Sequence, residues 1–294
     1  ESSEKHEQLL MLSANKAVKR GMKFGVIVPQ SIKQALAIDC TNGNNLWGDA
    51  IDKEVSKVKV ASMLLNENED PPIGSKEIKY HMIFDVKFNL TRKAQLVAAG
   101  YMNEFPAYTA YSPVILRETV RICFMLAALN KLSIMMGDVG NAFIQAKPRE
   151  KCHVIITDDQ LFGPSAVGSK AVIVRALYGM KLSGAAWRET LAIVLEKELG
   201  FRNCIADPDL WFKEGVKKDG SKYYIYICVY VDDLLCLAKN PAENVIIAAR
   251  QAILNGTGAT NQAMITQEWW LMETRTESVF LLLTKIAVTM TKYH

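Results

Sequence analysis

No uninterrupted apolar run in this chain is longer than the nine residues Tyr223 to Val231, whereas a membrane-spanning helix needs about 20. A transmembrane segment is therefore not expected. No two cysteines stand at the two-residue spacing of a zinc knuckle or redox dithiol, and all six (Cys40, Cys123, Cys152, Cys204, Cys228, Cys236) are scattered, mostly in apolar stretches. Reduced core thiols are the expectation. The four histidines, His6, His81, His153 and His294, are equally dispersed, which leaves a His/Cys metal site little support. A dominant charge is missing as well: 35 basic against 31 acidic side chains give +4, which permits a polyanionic partner without demanding one. Leu9 to Leu12 is too short for a signal-peptide core of about 7–15 apolar residues. With no internal repeat and no low-complexity tract, the 294 residues read as an intracellular globular chain of two domains, or one with a large appendage.

Local patterns supply the organisation. Residues 1–24 are polar and rich in Lys and Glu, so a frayed start is expected. Ser31 is a plausible N-cap for a short helix, and Trp47, Ile51, Glu54/Val55 and Val58 recur at helical spacing. Asn66 to Gly74, with its Asp-Pro-Pro, is the clearest loop and the first candidate boundary. Ile78 to Val97 predicts two or three strands with basic turns. Thr119 to Asn130 predicts an almost wholly apolar, buried helix. Ile134 to Ile144 is a short strand that runs into Asp138, Lys170 to Ala176 is another, and Ala185 to Leu199 is a helix that Gly200 ends. Tyr223 to Val231 and Leu234 to Ala238 predict a hairpin. Strands and helices mixed in this way make an α+β domain with a mostly antiparallel sheet.

Two features carry chemistry. Tyr230-Val231-Asp232-Asp233-Leu234-Leu235 places adjacent carboxylates at a hairpin tip between apolar arms, a costly arrangement unless a cation or donor compensates it. A solvated turn is the bland alternative, although Asn-Gly or Asp-Gly would suit a plain two-residue turn better. In Gly137-Asp138-Val139-Gly140-Asn141-Ala142-Phe143 a lone acid ends an apolar strand. Were the two segments adjacent, Asp138 and Asp232 could bracket a pair of divalent ions about 3.5–4 Å apart, the arrangement that clamps an in-line phosphoryl displacement. Mg²⁺ suits such carboxylates. Gly163 to Lys170 resembles a phosphate loop only superficially, because Ser169-Lys170 reverses the required order.

Five strings in order resemble one family, the reverse transcriptases of copia-like retrotransposons. They are Lys93-Ala94-Gln95-Leu96-Val97-Ala98-Ala99-Gly100, Tyr111-Ser112-Pro113-Val114, Asp138 to Phe143, Ala176-Leu177-Tyr178-Gly179-Met180-Lys181, and Tyr230-Val231-Asp232-Asp233. The resemblance runs from about Trp47 to about Lys239. It implies a right-hand polymerase with fingers at 76–118, a palm at 119–240, an N-terminal extension and start of the fingers at 1–75, and a degenerate thumb or connection at 241–294. It implies Asp138, Asp232 and Asp233 as catalytic, metal-holding aspartates, with Mg²⁺ or Mn²⁺ as cofactor. Lys87, Lys93, Val139, Asn141, Ala142, Phe143, Gly179, Lys181 and Ser183 are implied at the nucleotide, with Phe143 crowding the sugar 2′-position. The implied partners are an RNA or DNA template with its primer and deoxynucleoside triphosphates. The implied location is the cytoplasm, in a virus-like particle, or the nucleus.

Departures qualify this. Gln95 stands where the family usually has a basic residue, removing a guanidinium suited to bidentate phosphate contact. After Lys239 the family's Tyr-Leu-Gly stretch is not clear, and the length leaves no room for ribonuclease H or integrase domains. A rival reading, a catalytically inactive remnant that folds and binds nucleic acid, therefore stays open. Trp269-Trp270 suits the cover of a core edge better than base stacking.

Overall fold

A computed structural model describes residues 21–100, 112–159 and 162–241 and the backbone of 270–272. Along the chain come β1 (Met22–Lys23), β2 (Val26–Ile27), α1 (Ile32–Asn42), α2 (Leu46–Val58), β3 (Ser62–Leu64), β4 (Lys76–Glu77), β5 (Tyr80–Val86) and β6 (Arg92–Ala98). There follow α3 (Arg117–Asn130), β7 (Ser133–Asp138), α4 (Ala142–Gln145), β8 (Cys152–Ile155), β9 (Lys170–Ile173) and α5 (Ser183–Ile193). The last are β10 (Arg202–Asn203), β11 (Leu210–Val216), β12 (Lys222–Tyr230), β13 (Asp233–Ala238) and β14 (Trp270–Met272). The architecture is mixed α+β. Among the described residues no helix is long and apolar enough to cross a membrane. The chain divides into two compact units, one of Glu1–Pro106 with Pro148–Ser183 and one of Ala107–Lys147 with Gly184–His294. The loop at 66–74 lies inside the first unit rather than between units.

In the first unit, Ser31 caps α1 by accepting from the Gln34 amide at 3.2 Å, satisfying one of the helix's orphan donors. The buried Asp39 caps the next helix from a distance, its Oδ2 accepting from the amides of Trp47 and Gly48 at 2.9 and 2.8 Å. Of the pair Glu54/Val55, Glu54 takes the buried position on α2. Its Oε1 accepts from the Leu96 amide at 3.1 Å, fastening α2 to the β5–β6 hairpin. Trp47 meets Phe84 edge-on, ring centroids 5.6 Å apart, on the same hairpin. A separate four-stranded sheet has the order β3-β9-β8-β4.

The second unit is built on a six-stranded sheet, order β10-β11-β12-β13-β7-β14, antiparallel throughout. Helix α3 covers one face, its Val120, Cys123, Phe124 and Ala127 packing with Ile134, Cys228, Leu235 and Leu237. The expectation of a wholly buried helix is corrected here: Ile122, Met125 and Leu129 are 55%, 63% and 75% exposed. A helix laid on a single sheet buries one stripe, whatever the composition of its other side. Toward the opposite face, α5 ends in a π-helical turn at Val194–Glu198. Lys213 of β11 ties to that end, its Nζ 4.4 Å from the Phe201 ring centre and donating to the Leu199 carbonyl at 3.1 Å. Tyr111, Trp269, Asn255 to Gly258 and nearly all of the segment after residue 241 lie outside the described residues.

Candidate active site

The strand ending in Asp138 and the hairpin carrying Asp232 and Asp233 are neighbours in one sheet. β13 runs antiparallel to β7, with Asp233 directly opposite Asp138 and Leu234 opposite Gly137. Directly opposed residues leave a sheet on the same face, with Cβ atoms about 4.5–5.5 Å apart. A further bond, from the Val139 amide to the Asp232 carbonyl at 2.9 Å, carries the pairing one step past the strand ends.

The hairpin tip is displaced by one residue from the expected break. β12 and β13 close on the pair Tyr230–Asp233, so the two turn residues are Val231 and Asp232, and Asp233 belongs to the ladder. Val231 has φ of +56°, in the left-handed region that a β-branched residue seldom enters. The strain is held by a specific bond: the indole Nε1–H of the buried Trp187 donates to the Val231 carbonyl at 2.7 Å. Asp232 is thereby presented from a turn whose backbone is fixed on its preceding residue.

The electrostatics follow from this crowding. Burial, then the charges of Asp232 and Asp138, push the Asp233 carboxyl up to about 7. The Tyr230 phenol is raised by burial and by the two aspartates of the hairpin, Asp233 and Asp232. Oxygen donors only, mutually repelling and partly desolvated, form a set that fits a hard divalent cation such as Mg²⁺. Among the described residues, however, no group of three His, Cys, Asp or Glu side chains is arranged to hold an ion as it stands.

Beyond Asp138 the chain turns sharply, so the strand expected over Ile134 to Ile144 ends at Asp138 and residues 142–145 are helical. Asn141, at φ +54°, heads the four-residue α4, a conformation that Asn tolerates better than most residues. The Val139 and Ala142 side chains are buried, and Phe143 is only half-buried.

The other residues anticipated at the nucleotide lie in the first unit. Lys87 and Lys93 are exposed on the β5–β6 hairpin. They are accompanied by Lys57 of α2, whose ammonium is lowered first by burial and also by Lys53, Lys87 and Lys93. Lys57 was not singled out by the sequence pattern; only the packing of α2 on β6 brings it to the other cations. Gly179, at φ +87°, approaches β6 so closely that a Cβ there would stand 2.0 Å from the Ala98 carbonyl oxygen. The Ala98 amide in turn donates to the Tyr178 carbonyl at 2.8 Å, so two of the five sequence landmarks are in direct contact. Lys181 is exposed. Ser183 is buried, with its hydroxyl donating to the Leu177 carbonyl at 2.6 Å, a bond that shapes the turn before α5. Arg175 is a cation the sequence pattern did not mark: burial lowers its guanidinium, and Nη1 makes no hydrogen bond.

Comparison with known proteins identifies the family. The sequence pattern of the reverse transcriptase (RNA-dependent DNA polymerase) family matches residues 59–249. The chain belongs to that family. This reverse transcriptase domain is 29% identical over 208 residues, 66% of the chain, to the Retrovirus-related Pol polyprotein from transposon RE1 of Arabidopsis thaliana, of which it covers 13%. It is 30% identical over 202 residues, 64% of the chain, to the Pol polyprotein from transposon RE2 of the same plant, again covering 13%. To the Transposon Ty1-BL Gag-Pol polyprotein of Saccharomyces cerevisiae it is 27% identical over 167 residues, 55% of the chain and 9% of the relative. The chain thus corresponds to a small part of the length of these polyproteins, the part with the reverse transcriptase pattern.

Proposed function

We propose that this reverse transcriptase domain catalyses RNA-directed DNA synthesis, adding deoxynucleotides to a primer 3′ end on an RNA or DNA template. The observation that carries the proposal is the facing pair Asp138–Asp233 with Asp232 in the adjoining turn, in a chain of this family. In this reading residues 76–118 serve as fingers, 119–240 as palm and 241–294 as a reduced thumb or connection, with 1–75 leading into the fingers.

Asp138, Asp232 and Asp233 would hold Mg²⁺ or Mn²⁺, which when bound would supply charge neutralisation for the phosphoryl transfer. The protein's own part is positioning and electrostatics. Asp233, whose carboxyl burial and the neighbouring aspartates push up to about 7, would release its proton to solvent before serving as a ligand. Trp187 keeps the turn from relaxing, so Asp232 does not drift from Asp138. The backbone around Val139, Asn141 and Ala142 lies along the triphosphate, and Phe143 walls off the sugar 2′-position. Gly179, Lys181 and Ser183 shape the nucleotide pocket, while Lys87, Lys93 and Lys57 add phosphate affinity.

The test is primer extension on an RNA template with deoxynucleotides, with and without Mg²⁺. Extension that needs Mg²⁺ and disappears in Asp232→Asn supports the proposal. Primer–template binding without extension at any Mg²⁺ or Mn²⁺ concentration refutes it and marks a folded, inactive remnant.

A further inference from the structure

One surface of the second unit is unaccounted for by polymerase chemistry. The α3 face of the sheet has the aspartates at one end, in the row Tyr230–Asp233–Asp138. Six residues back along β12, about 20 Å at roughly 3.3 Å per residue, the same face carries an aromatic ladder. Phe212 and Tyr224 meet edge-on with centroids 6.0 Å apart, and Tyr224 and Tyr226 lie 6.3 Å apart. Arg202 of the edge strand β10 is in register with Phe212, and its guanidinium lies 5.5 Å from the ring centre. Tyr226 packs into the α3 core, but Tyr224 is 44% exposed. The ladder opens into a cavity of about 300 Å³ lined by Asn130, Glu214, Lys222, Tyr223, Tyr224 and Tyr226.

The charges around it favour an anion. Glu214 is paired with Lys222 at 2.9 Å. The turn joining β11 to β12 adds Lys217 and Lys218 against Asp219, so with Arg202 the surface holds four cations against two anions. The α3 carbonyls that would otherwise present negative charge are capped by Lys239, whose Nζ reaches the Asn130 and Lys131 oxygens at 3.1 and 2.5 Å. One exposed ring, Tyr224, backed by the half-buried Phe212 and Tyr226 and with cations beside it, supplies what an unpaired nucleic acid strand requires: a face for a base and charge for its phosphates.

We propose that the Phe212–Tyr224–Tyr226 ladder with Arg202 is a second nucleic-acid site, which binds single-stranded RNA outside the catalytic centre. It rests on the polymerase reading only in its preference for RNA, and none of its residues belongs to the catalytic set. The test uses the full chain and a fluorescent single-stranded RNA decamer. Tyr224→Ala weakens binding about 5- to 150-fold, the effect of removing one stacking ring, and Tyr224→Phe restores it. Arg202→Gln lowers the slope of log affinity against log salt by about 0.7. Primer extension on a short duplex persists in all three variants. As a readout independent of variant folding, RNA containing 5-bromouridine crosslinks to Phe212 or Tyr224 in the wild-type chain. Wild-type RNA affinity in both Tyr224→Ala and Arg202→Gln overturns the proposal, as do crosslinks confined to other segments. Failure of the polymerase reading would appear instead as absent extension with RNA binding at the ladder intact.

Discussion

Trp187 donates its indole hydrogen to the carbonyl of Val231, the residue whose left-handed backbone precedes Asp232. A neutral hydrogen bond of this kind contributes about 0.5–1.5 kcal/mol net. Trp187→Phe keeps an aromatic side chain but deletes the donor and leaves part of the buried indole's volume empty, so it is expected to lower stability by more than the hydrogen bond alone. A larger effect is expected in catalysis, because a relaxed turn misplaces Asp232: kcat falls, while KM for the deoxynucleotide changes little. Melting temperature and steady-state extension kinetics check it, and equal loss in both would point to a purely structural bond.

Asp233 predicts a pH dependence of definite sign. Its carboxyl is raised from 3.8 to about 7 in the folded state, so between those values the folded chain keeps a proton that the unfolded chain has released. Its stabilising contribution is complete below the unfolded value and is lost as pH climbs toward 7. A divalent cation competes with that proton, so Mg²⁺ affinity should rise with pH and level off above 7. Thermal melts from pH 4 to 8, with and without Mg²⁺, measure both trends. Asp233→Asn should flatten the metal-free trend.

Phe143, five residues past Asp138 and only half-buried, is proposed to bar ribonucleotides sterically. Phe143→Ala should raise ribonucleotide relative to deoxynucleotide incorporation with Mg²⁺ dependence unchanged. Its stability cost should fall below the 3–5 kcal/mol of a fully buried Phe→Ala change. An unchanged substrate ratio in a folded, active variant would refute the gate.

The clustered lysines predict a salt effect. Lys87→Ala/Lys93→Ala should reduce the slope of log K against log salt for primer–template by about 0.7–0.9 per lost phosphate contact. Adding Lys57→Ala should reduce it further and raise the deoxynucleotide KM. Filter binding across a salt series reads the slope, and a wild-type slope in the triple variant removes these cations from the binding surface.

What was legible in the sequence was whatever depends on local periodicity or on ordered landmarks. The aromatic and β-branched run from Tyr223 to Val231 announced β12, the helical spacing from Trp47 announced α2, and five landmark strings announced the family. The hairpin turn was misplaced by one residue because turn preference argues against a β-branched residue at positive φ; the bond from Trp187, 44 positions away in sequence, was invisible. The exposure of Ile122, Met125 and Leu129 was hidden for a related reason. Composition counts apolar residues but does not say how many sides of a helix will find a partner. Lys57 was missed because it joins Lys87 and Lys93 through packing rather than through its own spacing.

The outermost strand of the second sheet has a practical meaning for the boundaries of the folding unit. β14 pairs Trp270, Leu271 and Met272 with Met136, Met135 and Ile134, on the very strand that ends in Asp138, yet it lies 21 residues beyond the last position of the family match at 249. A chain cut at that limit would bare the backbone edge of Ile134 to Met136, apolar and uncharged, and such an edge recruits strands from other molecules. Self-association would then begin beside Asp138. A soluble domain should therefore keep its tail to at least Met272.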